Sequence, residues 1–238
     1  MATFEIIEGA PGQGKSLYTA RIARKLIDRN HKWFEKSGIV RPVFSNIKFS
    51  EEFENHANGT MQNYPDFQFL KYWDNPIDLC EVRDVDVLWD EVATELDARN
   101  FANLPDELKR FLSQYRKRGV DIYANTQDFS MVDARARLMV SRVATLTKII
   151  GSPDPSPTKP PVKRIWGLVM IREVENFKAY DPQKKDYGLV PSFFLIDRED
   201  VSIYDTRQDI TPGSLPVRKL RKELQVCEED GFERVRYI

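Results

Sequence analysis

The chain has 238 residues, with 36 Lys and Arg against 37 Asp and Glu, for a formal net charge of −1. That length holds one sizeable α/β domain with a small appendage. The charge balance excludes a global electrostatic pull toward nucleic acid, so any such surface has to be local. Cys80 and Cys227 lie far apart without a CxxC spacing, which suggests neither a disulfide framework nor a metal site and fits a reducing cytosol.

The first element in chain order is the strand-like run 3–8. It stops at Gly9, "GAPGQGKS" comes next, and Leu17, Ile22, Leu26 and Ile27 mark residues 15–30 as a helix. Gly9-x4-Gly14-Lys15-Ser16 is the pattern of a phosphate-binding loop. Glycines let successive backbone N–H groups turn inward, and the helix start adds free donors and the positive dipole end. The pattern assigns Gly9, Ala10, Pro11, Gly12, Gln13, Gly14, Lys15, Ser16 and Leu17 to a nucleotide. Lys15 would reach the β- and γ-phosphates, and the Ser16 hydroxyl would enter a Mg²⁺ shell. The loop starts too early to leave room for a signal peptide. The longest uninterrupted apolar run, 165–171, is far short of a membrane span.

Further strand-like segments lie at 42–49 and 67–73, separated by the polar stretch 50–66 with a turn at Asn58-Gly59. The next strand, 85–90 within "VDVLWDEV", ends in Asp90, and Glu91 comes directly after it. A carboxylate there would hold Mg²⁺ through water, and Glu91 is placed to orient or deprotonate an attacking water. A solvated acidic turn is the competing reading. Asp86 inside the run implies that one face of this strand is partly wet.

Residues 104–118 form a helical pattern whose stripe of Leu104, Leu108, Phe111, Leu112 and Tyr115 reads as a core face. Lys109, Arg110, Arg116, Lys117 and Arg118 lie opposite it and at its C-terminal end. Cations there suit the helix dipole whatever the function. Arg118 could also complete a neighbouring subunit's site as an arginine finger, with Arg116 and Arg142 next in order. The strand 120–126 leads into Asn125-Thr126-Gln127. Gln127 is the first choice for a γ-phosphate sensor and Asn125 the second; an amide capping the next turn is the alternative. A helical pattern at 129–139 carries Arg135 and Arg137.

Two further strands, 142–150 and 165–174, flank the five-proline stretch "GSPDPSPTKPP" (151–161), read as a loop within the domain. The alternation of strands and helices predicts a mostly parallel sheet covered on both faces. The fold expected is an α/β P-loop NTPase of the additional-strand, catalytic-glutamate type, with a C-terminal strand pair. The domain is placed at 1–209 and a tail at 210–238, and no internal repeat is visible.

"EGAPGQGKS", "VFSNI" (43–47), "LWDE" (88–91) and "QYRKRGVDIYANTQDFSMVDARAR" (114–137) resemble the N-terminal domain of the zonula occludens toxin family, which includes the filamentous-phage assembly ATPase. The likeness covers residues 3 to about 150 and weakens beyond them, where "FKAY" and "VSIYDT" are the candidate matches to the end of that domain. It implies that Gly9 to Ser16 bind phosphate, that Asp90 and Glu91 are the acidic pair, and that Gln127 is the sensor. Many members continue into a transmembrane helix and an extracytoplasmic segment. Neither is visible in this sequence, which shifts the expectation toward a motor of the host cytosol, tied to virion or membrane through partners.

The function expected is an ATP-hydrolysing, Mg²⁺-dependent motor of viral or prophage origin that drives DNA translocation or virion assembly and export. It would work as a homo-oligomeric ring, with DNA and with capsid or assembly proteins as partners. One alternative is a genome-packaging ATPase that pumps DNA into a capsid. Another is a small-molecule kinase with the Arg135, Arg137 and Arg142 region as a lid. Glu91 argues against the kinase, which gains nothing from activating water. No Asn-Lys-x-Asp is present to select guanine.

Overall fold

Described in chain order, the elements are β1 (Phe4–Glu8), α1 (Lys15–Ser37), β2 (Val43–Ser45), α2 (Glu51–Gly59), β3 (Leu70–Tyr72), β4 (Asp86–Trp89) and α3 (Val92–Glu95). They continue with α4 (Asp106–Gln114), β5 (Asp121–Thr126), α5 (Ala134–Arg137), β6 (Arg142–Gly151), β7 (Gly167–Val174), β8 (Ser192–Leu195) and α6 (Arg198–Ile203). This is a computed structural model describing residues 2–59, 68–97, 104–151, 167–174, 191–196 and 198–203. Most of the proline-rich stretch, "FKAY", Cys227 and the tail 210–238 lie outside those residues.

The strands form one sheet in the order β3-β2-β4-β5-β1-β6-β7-β8. Every pairing from β3 through β6 is parallel, and β7 and β8 add an antiparallel edge. β5 is inserted between β1 and β4, so the strand that carries the phosphate loop and the strand that carries the acidic pair are separated by one more. This is the additional-strand architecture expected from the sequence, with the C-terminal strand pair appended.

Period-two alternation sorts the strand side chains onto two faces. Phe4, Ile6, Val87, Trp89, Ile122 and Ala124 pack against the stripe Leu108, Phe111, Leu112 and Tyr115. On the opposite face Val43 and Leu88 meet Ala20, Ala23 and Ile27 of α1 and Phe53 of α2. Ile7, Ala144, Leu146, Val169, Ile171 and Phe194 form a third cluster at the antiparallel end. The last described helix docks on α1: the Arg24 guanidinium lies 3.1 Å from the buried Asp200 carboxylate, and Ser50 N–H donates to Ile203 O at 2.8 Å.

Three local expectations change. α1 runs on to Ser37 and stops at Gly38, which is left-handed at φ 67°. Beyond Ile27 its apolar stripe thins to the half-buried Phe34, so periodicity ran out before the terminator. α2 occupies part of the polar stretch 50–66, with Glu51, Glu52 and Glu54 at its positive end and only Phe53 and Ala57 buried. The pattern at 129–139 is broken in two, because Asp128 accepts from Ser130 N–H and Asp133 from Arg135 N–H, each at 2.7 Å. Two such caps start two separate turns.

Asp86 also requires a correction. It is fully buried, with the Arg29 guanidinium at 2.6 Å and the Arg41 guanidinium at 3.1 Å. The strand face is dry there, and an ion cluster satisfies the carboxylate.

Candidate nucleotide site

The loop between β1 and α1 depends on its glycines at identifiable places. Gly12 and Gly14 are left-handed, at φ 77° and 93°, a conformation that costs a side-chain-bearing residue about 1–2 kcal/mol. A Cβ on the buried Gly9 would lie 3.1 Å from Leu146 O of β6, so this turn sits against the neighbouring strand. Gln13 fastens it further: its Oε1 accepts from Lys148 N–H at 2.6 Å, and its own N–H donates to Ala10 O at 3.2 Å. The first helical bond, Tyr18 N–H to Gly14 O at 2.9 Å, aims the N-terminus of a 23-residue helix into the loop. Lys15 is buried, and its ammonium donates to Gly9 O at 2.6 Å and Ala10 O at 3.4 Å. Its charge therefore sits against two carbonyls at the start of the loop.

Asp90 directly follows β4, two strands away, and a relay of side chains ties it to α1. Thr19 Oγ1 donates to Asn125 Oδ1 at 2.8 Å, and Asn125 Nδ2 donates to Asp90 Oδ1 at 2.8 Å. All three residues are buried. Burial holds the Asp90 carboxyl above the usual carboxylate range, opposed by the Asn125 bond, the Glu91 N–H and the Lys15 charge. Glu91 is raised as well, by burial and by the Asp90 charge, with Lys15 and a hydrogen bond from the Gln127 side chain pulling the other way. Lys15, Asp90, Glu91, Asn125 and Gln127 thus converge at the C-terminal ends of the parallel strands, where open α/β sheets bind ligands.

Ser16, in the first turn of α1, carries a hydroxyl, and Asp90, directly after β4, a carboxylate. Among the described residues no group of three or more His, Cys, Asp or Glu could hold a metal. That combination fits Mg²⁺, which keeps several waters and takes phosphate oxygens in place of a full protein cage.

Sequence reasoning missed three contributors, Thr19, Asn46 and Glu8, and held Asn125 only as a second choice for the sensor. Thr19 and Asn125 form the relay. Asn46 pairs with the Asp90 backbone, accepting from its N–H at 2.7 Å and donating to its carbonyl at 3.2 Å. Glu8, buried at the end of β1, accepts from Thr145 Oγ1 at 2.6 Å and from Phe129 N–H at 3.1 Å. A charged residue closing an apolar strand was the one available signal for Glu8, and "SNI" after a strand the one for Asn46.

Arg118 is not brought to this site. It precedes β5, at the opposite end of the six-residue strand from Gln127, roughly 20 Å away at strand rise. Its guanidinium donates to Cys80 O and lies over the Phe111 ring, 5.9 Å from its centroid. Arg142 pairs with Glu5 at 3.6 Å, three residues back along β1 from the loop. Arg137 lies over Phe129, 5.8 Å from its centroid, on the segment after the sensor strand.

A glycine loop between a strand and a helix, an acidic pair two strands away, and one strand inserted between them define the P-loop NTPase fold. Among solved structures the chain is similar to the N-terminal domain of zonular occludens toxin from Neisseria meningitidis. The two share 21% identity over 86% of this chain and 100% of that one, with a TM-score of 0.54. Looser likenesses are the genome packaging NTPase B204 from Sulfolobus turreted icosahedral virus 2 in complex with AMP and the flagellar accessory protein FlaH from Methanocaldococcus jannaschii. The first has 10% identity, 65% and 77% coverage and a TM-score of 0.43; the second has 14%, 71% and 77%, and 0.41. No family model matches the chain, and no curated protein does.

Proposed function

We propose that the chain is a Mg²⁺-dependent ATP hydrolase of the zonula occludens toxin type, a viral or prophage motor that drives DNA translocation or virion assembly and export. The observation that carries the hydrolytic reading is Glu91 beside Asp90, hydrogen-bonded to Gln127 at the end of the inserted strand and within electrostatic reach of Lys15. The loop amides and Lys15 bind the phosphates. Ser16 and Asp90 would hold Mg²⁺, whose positive charge would offset that of the phosphate oxygens. Glu91 takes a proton from water, and Gln127 fixes where the Glu91 carboxylate points. Glu91→Gln is expected to keep ATP and Mg²⁺ binding and to lose at least about 10²-fold in turnover. Turnover at the wild-type rate refutes this reading.

The motor part rests on the four sequence stretches and on the likeness of fold to the Neisseria domain. No helix among the described residues is long and apolar enough to cross a membrane. The protein acts in the host cytosol as a ring or side-by-side oligomer, with DNA on local Lys and Arg clusters such as 109–118. DNA is expected to stimulate hydrolysis, and affinity to fall steeply with salt as counterions are released. A rate indifferent to single- and double-stranded DNA at low salt removes translocation and leaves the kinase or pure assembly. Away from its own chain's loop, Arg118 is the candidate finger for a neighbour's nucleotide. Mixing Lys15→Ala with Arg118→Ala restores activity if it does, and no recovery despite proven subunit exchange confines Arg118 to packing.

A further inference from the structure

We propose that Asn46 is a positioning residue for the hydrolytic carboxylate: its side-chain amide clamps the Asp90 backbone and thereby sets the direction of Glu91. The inference rests on the hydrolytic reading above and assigns work to a stretch, "SNI", that otherwise serves only as a likeness.

The clamp is built. β2 and β4 pair in parallel as far as Ser45 and Leu88, and the next bond, Asn46 N–H to Leu88 O, is long at 3.4 Å. There the chain turns away, because the buried Ser45 hydroxyl accepts from Ile47 N–H and donates to Ile47 O, both at 2.9 Å. The two bonds bracket Asn46 at the tip of the turn. Its amide then offers Asp90 one acceptor and one donor, at 2.7 and 3.2 Å. That is the pair of groups a continuing strand would present, so a side chain extends the backbone ladder by one residue.

The extension matters because of the residue after Asp90. Glu91 stands at φ 49°, ψ 48°, and a non-glycine residue holds a left-handed conformation only where its surroundings enforce it. Asn46 holds the residue before it. Thr94 holds its carbonyl, through its N–H at 2.9 Å and its hydroxyl at 2.8 Å. With both neighbouring peptides pinned, the Glu91 side chain leaves toward Gln127 and Lys15, where a water-activating carboxylate has to be. Without the amide, Asp90–Glu91 can relax to an ordinary turn, and the carboxylate moves off the line of attack while the phosphate loop stays whole.

The test is steady-state and single-turnover ATP hydrolysis by the full chain carrying Asn46→Ala, with a fluorescent ATP analogue to read affinity. The expected result is a kcat lower by about 10–100-fold, the scale of a misplacement near 1 Å, with KM and analogue affinity close to wild type. In a Glu91→Gln background the same change is expected to remove nothing further from the residual rate, because both act through one carboxylate. Asn46→Asp keeps size and acceptor and loses the N–H that reaches Asp90 O. It is expected to lose kcat as well, and it decides the matter should Asn46→Ala not fold. Loss of kcat and affinity together, or losses that add to Glu91→Gln, would make Asn46 a structural residue only and overturn the proposal. So would wild-type kcat in Asn46→Ala or Asn46→Asp. A wild-type protein that binds ATP and never hydrolyses it overturns the hydrolytic reading, and this inference with it.

Discussion

Asn125 on β5 and Asp90, the residue after the adjacent parallel strand β4, share a buried hydrogen bond of 2.8 Å from Nδ2 to Oδ1. With its other face Asn125 accepts from Thr19 on the phosphate-loop helix. Replacing Asn125 with Leu keeps the branched shape, adds apolar bulk and removes both hydrogen bonds. A buried polar group left without its partner costs about 1–3 kcal/mol, and the urea midpoint is expected to fall accordingly. Asp90 then loses a bond that holds its carboxyl down, so the Mg²⁺ dependence of nucleotide binding should weaken. An unchanged midpoint with unchanged Mg²⁺ titration would refute the relay.

Glu91 gives a pH signature. Its folded-state carboxyl is raised by burial and by Asp90, so the folded chain binds more protons than the unfolded chain between the two pKa values. Stability contributed by this group is complete below the unfolded pKa and is lost as pH rises through the folded one. Glu91→Gln does not titrate. Its melting temperature is expected to match wild type below the ordinary glutamate pKa of about 4.3 and to exceed it as pH rises above that value. A gap that stays constant or narrows with pH contradicts the shift. In the active enzyme the acid limb of kcat should likewise lie above the ordinary glutamate range.

Glu8 links the phosphate-loop strand to the segment after the sensor strand through Phe129 N–H and to β6 through Thr145. Glu8→Ala is expected to lower stability by about 1–3 kcal/mol and to speed hydrogen exchange at the Phe129 amide. Exchange at that amide as slow as in wild type would show that the carboxylate does not hold the segment.

Gly119 precedes β5 at φ 69°, and a Cβ there would clash with the Asp84 carboxylate. Gly119→Ala is expected to destabilise the protein by about 1–2 kcal/mol from the left-handed backbone alone, read as a lower urea midpoint. Adding Asp84→Ala should return only the part due to the clash. Full recovery in the double variant would mean that the backbone conformation carries no strain.

The phosphate loop and the acidic pair could be read from the chain because their chemistry is local. Gly12 and Gly14 adopt the left-handed angles that glycine alone takes without penalty, and α1 begins directly behind them. Asp90 and Glu91 likewise close an apolar strand in plain view, as does the buried stripe of α4 for its helix. α2 was hidden because two buried residues, Phe53 and Ala57, are too few to show a period. Asp86 was misread because its partners, Arg29 and Arg41, come from other elements. The relay of Thr19, Asn125 and Asp90, the hold of Asn46 on Asp90 and that of Glu8 on Phe129 join residues 35 to 121 positions apart. Such pairs exist only once the strands have taken their places in the sheet, β2 beside β4 and β5 between β4 and β1. Strand pairing is governed by burial and register across the whole sheet, which no single segment encodes. The same packing placed Arg118 at the far end of its strand from the nucleotide, against Phe111 and the Cys80 carbonyl.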